Sequence, residues 1–236
     1  MKVDILGINI DTYSMQETVE QIRRAVEGRI QMRVVTANPE MIYASERNVR
    51  LKKLINSADI VTADGIGVVW AARRVGTPVS ERVTGIDLVN ALFPIAHQGK
   101  WRIFFLGGKP GVAEQAANQV ILKNNGITWD AMHGYFSAEE EPGVLEKIRR
   151  FQPDILLVGL GAPRQEYWIA EHPGLAFVSV GVGGSFDALA GIVVRAPKRI
   201  QDLHVEWLYR LWKEPWRWRR QAVLPLFCNK SPLARF

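Results

Sequence analysis

The stretch WRIFFLGGKPGVAEQAANQV runs from Trp101 to Val120. Its apolar start reads as a strand, Gly107 and Gly108 as the turn at the strand's carboxyl end, and residues 111–124 as a helix. The same order recurs along the chain. VDILGI near the N-terminus, MRVVTA, ADIVTA, DILLVGL and AFVSVGV read as strands, with a further strand near 127–131. Ser14-Met-Gln-Glu17 is a capping box that opens a helix to about Ala25. Asn38 with Pro39 marks the N-cap and first position of another helix. Residues 86–98, 142–151 and 163–171 complete the helical set. Strand–helix alternation of this kind predicts a Rossmann-like α/β fold, a parallel sheet with helices on both faces.

Length and composition agree with that reading. The 236 residues are 47% apolar and 23% charged, enough for a sizeable core without metal or disulfide support. One cysteine, Cys228, excludes an internal disulfide and fits a reducing compartment. Asp4 and Asp11 interrupt the apolar N-terminus where a signal peptide needs an unbroken core. Residues 177–194 carry Asp187 and several glycines, so they read as strand, turn and short helix rather than a membrane span. The expectation is a cytoplasmic protein.

The net charge of +6 is uneven. Residues 195–236 hold ten Lys and Arg against three Asp and Glu, so all the excess basicity lies there. This places a boundary near 195, between an α/β domain of residues 1–194 and a C-terminal appendage of residues 195–236. Within the appendage, EWLYRLWKEPWRWRR (206–220) interleaves Trp207, Trp212, Trp216 and Trp218 with Arg210, Lys213, Arg217, Arg219 and Arg220. Trp207, Leu208 and Leu211 share one helical face, and Pro215 must break or restart the helix. Rings among guanidinium groups suit a lipid–water interface, and the arginines suit an anionic membrane surface or a diphosphate. Plain packing and nucleic-acid binding are the alternatives, but no RNA-binding signature is present.

In open α/β sheets ligands bind beyond the carboxyl ends of the strands. Five such ends are loaded with polar residues or glycines: Thr36 to Glu40, Thr62 to Gly67, Gly107 to Gly111, Gly159 to Glu166 and Gly181 to Asp187. Glycine loops ahead of helices let backbone N–H groups approach a phosphate. None of the loops is Gly-x-Gly-x-x-Gly or a P-loop, so a dinucleotide or ATP site is not indicated. Asp64 and Asp187 each read equally as a base or as a helix N-cap. His97, His133, His172 and His204 are scattered and make a poor metal set; no cofactor and no metal is expected. The chain has no Asp-x-Asp, the motif many nucleotide-sugar transferases use to hold a divalent cation.

TANPE, TADGIGVVWAARRVG, ERVTGIDL, FFLGGKPGVAEQA, HGYF, LLVGLGAPRQEYWI, GVGGSFDALAG, RAPKRIQ and the Trp-rich stretch occur in one order from about Val3 to Leu226. In that order they resemble the WecG/TagA/CpsF glycosyltransferase family, glycosyltransferase family 26, most closely its teichoic-acid branch. The resemblance implies a fold of the type termed GT-E and an inverting, metal-independent transfer. The implied donor is a UDP-sugar, UDP-N-acetylmannosamine in this branch, and the implied acceptor is N-acetylglucosamine on undecaprenyl diphosphate, joined β-1,4. It also implies a peripheral enzyme on the inner face of the plasma membrane. Carried residue by residue, the resemblance places the base at Asp64. Sugar- and phosphate-contacting groups fall at Thr36, Asn38, Arg82 and Gln165, and uridine contacts at Tyr135 and Asp187. The appendage arginines are Arg210, Arg217 and Arg220, with Trp207 and Trp216 as membrane contacts. Gly107, Gly108, Gly183, Gly184 and Ser185 are candidate N–H donors to the diphosphate. The family loop Thr-Pro-Asn-Ala-Glu reads Thr-Ala-Asn-Pro-Glu here, which qualifies the backbone geometry near Thr36.

Two other readings stand beside this one: the same chemistry with UDP-N-acetylmannosaminuronate or a UDP-hexose, and a non-catalytic module for anionic lipid or RNA. A Trp-rich tail is poorly tolerated by water as an open patch, so docking on a second copy, a homo-oligomer, is a further expectation.

Overall fold

A computed structural model describes residues 1–122, 126–197, 200, 206–213, 218 and 222–230. Six parallel strands form the central sheet: β3 (Met32–Ala37), β4 (Ile60–Ala63), β5 (Arg102–Gly107), β6 (Thr128–Met132), β7 (Ile155–Gly159) and β8 (Val178–Gly181), in spatial order β4-β3-β8-β7-β5-β6. Its strands are short and apolar because both faces are covered. Adjacent residues point to opposite cores: Val34 and Val35, Phe104 and Phe105, Leu156 and Leu157 each divide between two different clusters.

On one face lie α1 (Met15–Glu27), α5 (Gly85–Gly99), α6 (Val112–Ile121) and α9 (Ser185–Leu189), packed on Val34, Phe105, Leu157 and Val180. On the other lie α2 (Pro39–Glu46), α3 (Val49–Asn56) and α4 (Ile66–Arg74), then α7 (Glu141–Phe151) and α8 (Arg164–Glu171). The capping box at Ser14 and the Asn38 cap form as their sequences predict. The parallel sheet with helices on both faces is therefore as expected from the alternation of elements.

The N-terminus differs from its single-strand reading. VDILGI is cut by a turn, giving β1 (Lys2–Ile5) and β2 (Ile8–Asp11), an antiparallel hairpin outside the main sheet. Leu6 and Gly7 take φ of 54° and 82°, and Asp4 accepts the Gly7 N–H at 2.8 Å. Two consecutive positive φ values are those of the tight hairpin turn, which Asn-Gly or Asp-Gly usually signals and Leu-Gly does not. The hairpin is fastened by Asp11, which accepts the Val61 N–H of β4 at 2.9 Å.

Two appendage helices are described, α10 (Glu206–Lys213) and α11 (Val223–Lys230). Phe227 of α11 is fully buried in the cluster shared by α2, α4 and the hairpin.

The adjacent strands β3 and β8 send their following helices to opposite faces, α2 on one side and α9 on the other. That divergence opens a crevice at their carboxyl ends, the switch point where doubly wound sheets hold ligands.

Candidate active site

A cavity of about 620 Å³ occupies this crevice. Thr36, Asn38, Asp64, Arg82, Gln165, Gly183, Gly184, Ser185 and Asp187, distant in sequence, all line it. Arg195, Glu206, Trp207 and Leu224 close it from the appendage side.

Asp64 directly follows β4, its N–H given to the Ala37 carbonyl at 2.9 Å. Its side chain is half-buried, and the N-cap of α4 is Gly65, an end with no side-chain cap. The N-cap position is thus Gly65 rather than Asp64. It offers a carboxylate at the cavity wall beside the N–H groups of the first turn of α4, which favour negative charge. Asp187 likewise sits inside the first turn of α9, whose N-cap position is Gly184.

Neighbouring polar groups are already oriented. The Thr36 hydroxyl donates to the Gly181 carbonyl at 3.0 Å, tying β3 to β8, so it can offer the cavity only a lone pair. Asn38 spends its Oδ1 on the Met41 N–H at 2.9 Å, leaving its amide N–H groups for the cavity. Gln165 accepts the Gly183 N–H at 3.0 Å through Oε1 and donates through Nε2 to Glu166 at 2.7 Å.

Glu166 is buried, and its second oxygen has no hydrogen-bond partner. Burial pushes its carboxyl up to about 7, only partly offset by the Gln165 hydrogen bond. From pH 4.5 to about 7 the folded protein then holds a proton that the unfolded chain has released. Stability must fall as pH rises through that window, by about 3 kcal/mol at most from this one group. Glu166→Gln is expected to flatten this part of the stability curve in urea unfolding. If the variant's pH dependence matched that of the parent protein, the buried acid would not be the cause.

The cations form a chain. Arg195 meets Asp87 at 2.7 Å and 3.3 Å, and Thr84 donates to the same carboxylate at 2.6 Å. Burial opposes charge on Asp87, but these hydrogen bonds hold it below the ordinary carboxylate range. Glu206 reaches Arg82 at 3.5 Å and Arg195 at 3.7 Å.

Other expected residues stand elsewhere. Gly107 and Gly108 are at the end of β5, against Gly159 and Gly134, outside the cavity lining. Tyr135 is 67% exposed on the neighbouring loop, where its N–H donates to His133 Nδ1 at 3.3 Å. Arg217, Arg220 and Trp216, and the Arg210 side chain, lie outside the described residues. Sequence reading missed Glu166, Arg195, Asp87 and Glu206 as parts of the site. Only Arg195 carried a signal, as the first residue of the basic segment. Among the described residues no three or more His, Cys, Asp or Glu are grouped to hold a metal, and no helix is long and apolar enough to cross a membrane.

Polar groups gathered from four strand ends onto one switch point are the arrangement of an α/β enzyme. Residues 3–233 match the family described as Glycosyl transferase WecG/TagA/CpsF. The chain is 36% identical over 238 residues to a protein of Staphylococcus aureus strain MW2 named N-acetylglucosaminyldiphosphoundecaprenol N-acetyl-beta-D-mannosaminyltransferase, covering 99% of this chain and 93% of that one. The proteins of that name from strains NCTC 8325 / PS 47 and MRSA252 match equally, at 36% identity with the same coverage. The chain belongs to this family and is a glycosyltransferase.

Proposed function

We propose that the enzyme transfers N-acetylmannosamine from UDP-N-acetylmannosamine to N-acetylglucosamine on undecaprenyl diphosphate, β-1,4 and with inversion, for wall teichoic acid or a related surface polymer. The carrying observation is near full-length similarity to transferases whose name specifies that acceptor and that sugar. The cavity is consistent with the chemistry. One in-line displacement suffices: Asp64 takes the proton of the acceptor hydroxyl, the oxygen bonds to C1, and the C1–O bond breaks with its electrons leaving on UDP. UDP is a good leaving group, so a second carboxyl acid is not required, unlike glycoside hydrolysis. Arg82 and the N–H groups of 183–185 balance the charge that develops on the diphosphate.

In this reading the appendage brings the enzyme to the membrane holding the acceptor. Support comes from Trp212 and Trp218, which are 72% and 60% exposed, and from Trp207, Leu208 and Leu226, which also face out. Exposed rings beside Lys and Arg suit an anionic interface. Residues 1–194 then act as the catalytic domain and 195–236 as the acceptor- and membrane-binding segment.

The deciding experiment is UDP release from a panel of UDP-sugars, with a short-chain N-acetylglucosamine diphospholipid as acceptor and EDTA present. Turnover with UDP-N-acetylmannosamine, unchanged by EDTA, is expected. Turnover with UDP-N-acetylmannosaminuronate or a UDP-hexose instead would replace the donor. Turnover lost in EDTA and restored by a divalent cation would overturn the metal-independent mechanism.

A further inference from the structure

Glu206 is a carboxylate where the proposed reaction needs an anion site. It comes from α10, is almost wholly buried, and enters the cavity against two guanidinium groups of the α/β body. The contacts are poor for a buried pair. At 3.5 Å and 3.7 Å they are longer than the roughly 2.7–2.9 Å of a good charge-assisted hydrogen bond. The Arg195 Nε is buried and has no hydrogen-bond partner. A buried donor left without a hydrogen bond is costly, and an acceptor with better reach would recover that cost.

Arg195 is also aimed. Asp87 takes its terminal nitrogens at 2.7 Å and 3.3 Å, and Asp87 is itself fixed by Thr84. The Nε edge is thereby turned toward Glu206 and the cavity. Arg82 approaches the same carboxylate from the loop before α5. Two cations thus converge on one carboxylate that satisfies neither well. A diphosphate spreads more charge over more oxygens than a carboxylate and can engage both.

We propose that Arg195 and Arg82 form a two-arginine clamp for the donor's diphosphate, and that Glu206 is the resident anion which the diphosphate displaces. This rests on the UDP-sugar reading and deepens it. Glu206 belongs to α10, so displacement also frees that helix from the body at the moment the donor is loaded. Donor binding and release of the appendage toward the acceptor are then one exchange of anions.

Calorimetric titration of the full chain with UDP, uridine and inorganic pyrophosphate tests the clamp. Arg195→Ala is expected to weaken UDP and pyrophosphate at least tenfold and to leave uridine unchanged. Arg195→Lys, which keeps a charge beside Asp87, should be intermediate; it covers the case in which the alanine variant does not fold. Glu206→Gln acts in the opposite direction and should tighten UDP severalfold, because the competing charge is gone. UDP binding that is indifferent to both Arg195→Lys and Glu206→Gln overturns the clamp and leaves the donor reading standing. Pyrophosphate that binds with Arg195 dependence, with UDP no tighter and uridine silent, keeps the clamp and removes the nucleotide donor. Failure of all three ligands to bind removes both.

Discussion

Asp64→Asn is expected to fold normally, bind UDP as the parent protein does, and transfer sugar ~10²–10⁴-fold more slowly. Folding should survive because the backbone of Asp64, not its side chain, makes the β4–β3 closure to Ala37, and α4 begins at Gly65 without a side-chain cap. Asparagine keeps the shape and removes the capacity to accept a proton. An inverting displacement has one proton to move, so the loss should appear in kcat with little change in donor KM. The check is steady-state UDP release with saturating acceptor, beside calorimetric UDP binding. A kcat within threefold of the parent value would move the base elsewhere, with Glu40, Asp187 and Glu206 the remaining carboxylates in the lining.

The largest effect on stability is expected at Gly107. It pairs with Gly159 across β5 and β7 and has φ of 146°. A Cβ there would lie 2.4 Å from the Gly159 carbonyl oxygen and 2.5 Å from its carbon, both backbone atoms of a central strand. Neither strand can retreat without disturbing the sheet on both faces. Overpacking and backbone strain together predict that Gly107→Ala costs roughly 3–5 kcal/mol, a large part of a typical stability of about 5–15 kcal/mol. Gly111→Ala is the control: its φ is also positive, at 85°, but nothing lies within 4 Å of the added carbon. It should cost only about 1–2 kcal/mol. Urea unfolding of the two variants separates close approach from conformation alone, and equal losses would sink the argument from contact with Gly159. The glycines at the end of β5, candidate phosphate donors by sequence, have at Gly107 a packing reason of their own.

Much of the fold was legible because its signals are local. Ser14 and Glu17 cap α1, Asn38 and Pro39 open α2, and short apolar runs become parallel strands; each follows from chemistry within a few residues. The hairpin was missed because its turn uses Leu6, which has no intrinsic preference for positive φ; closure is supported by Asp4 and by the docking of Asp11 on Val61. The helix α3 was also not read, although Asn48 caps it through the Leu51 N–H.

By itself the sequence determined the α/β order of elements, the concentration of charge and tryptophan after residue 194, and the polar residues placed at strand ends. Those properties depend on periodicity and composition, which neighbouring residues suffice to define. The tertiary structure alone decided that β3 and β8 lie side by side with their helices leaving to opposite faces, and so where a cavity could open. It likewise decided that Glu166 is buried behind Gln165 and that Glu206 comes to rest between Arg82 and Arg195. The Glu206–Arg82 contact spans 124 residues of sequence. Burial and charge pairing at that range depend on how the whole chain excludes water, which no local pattern encodes.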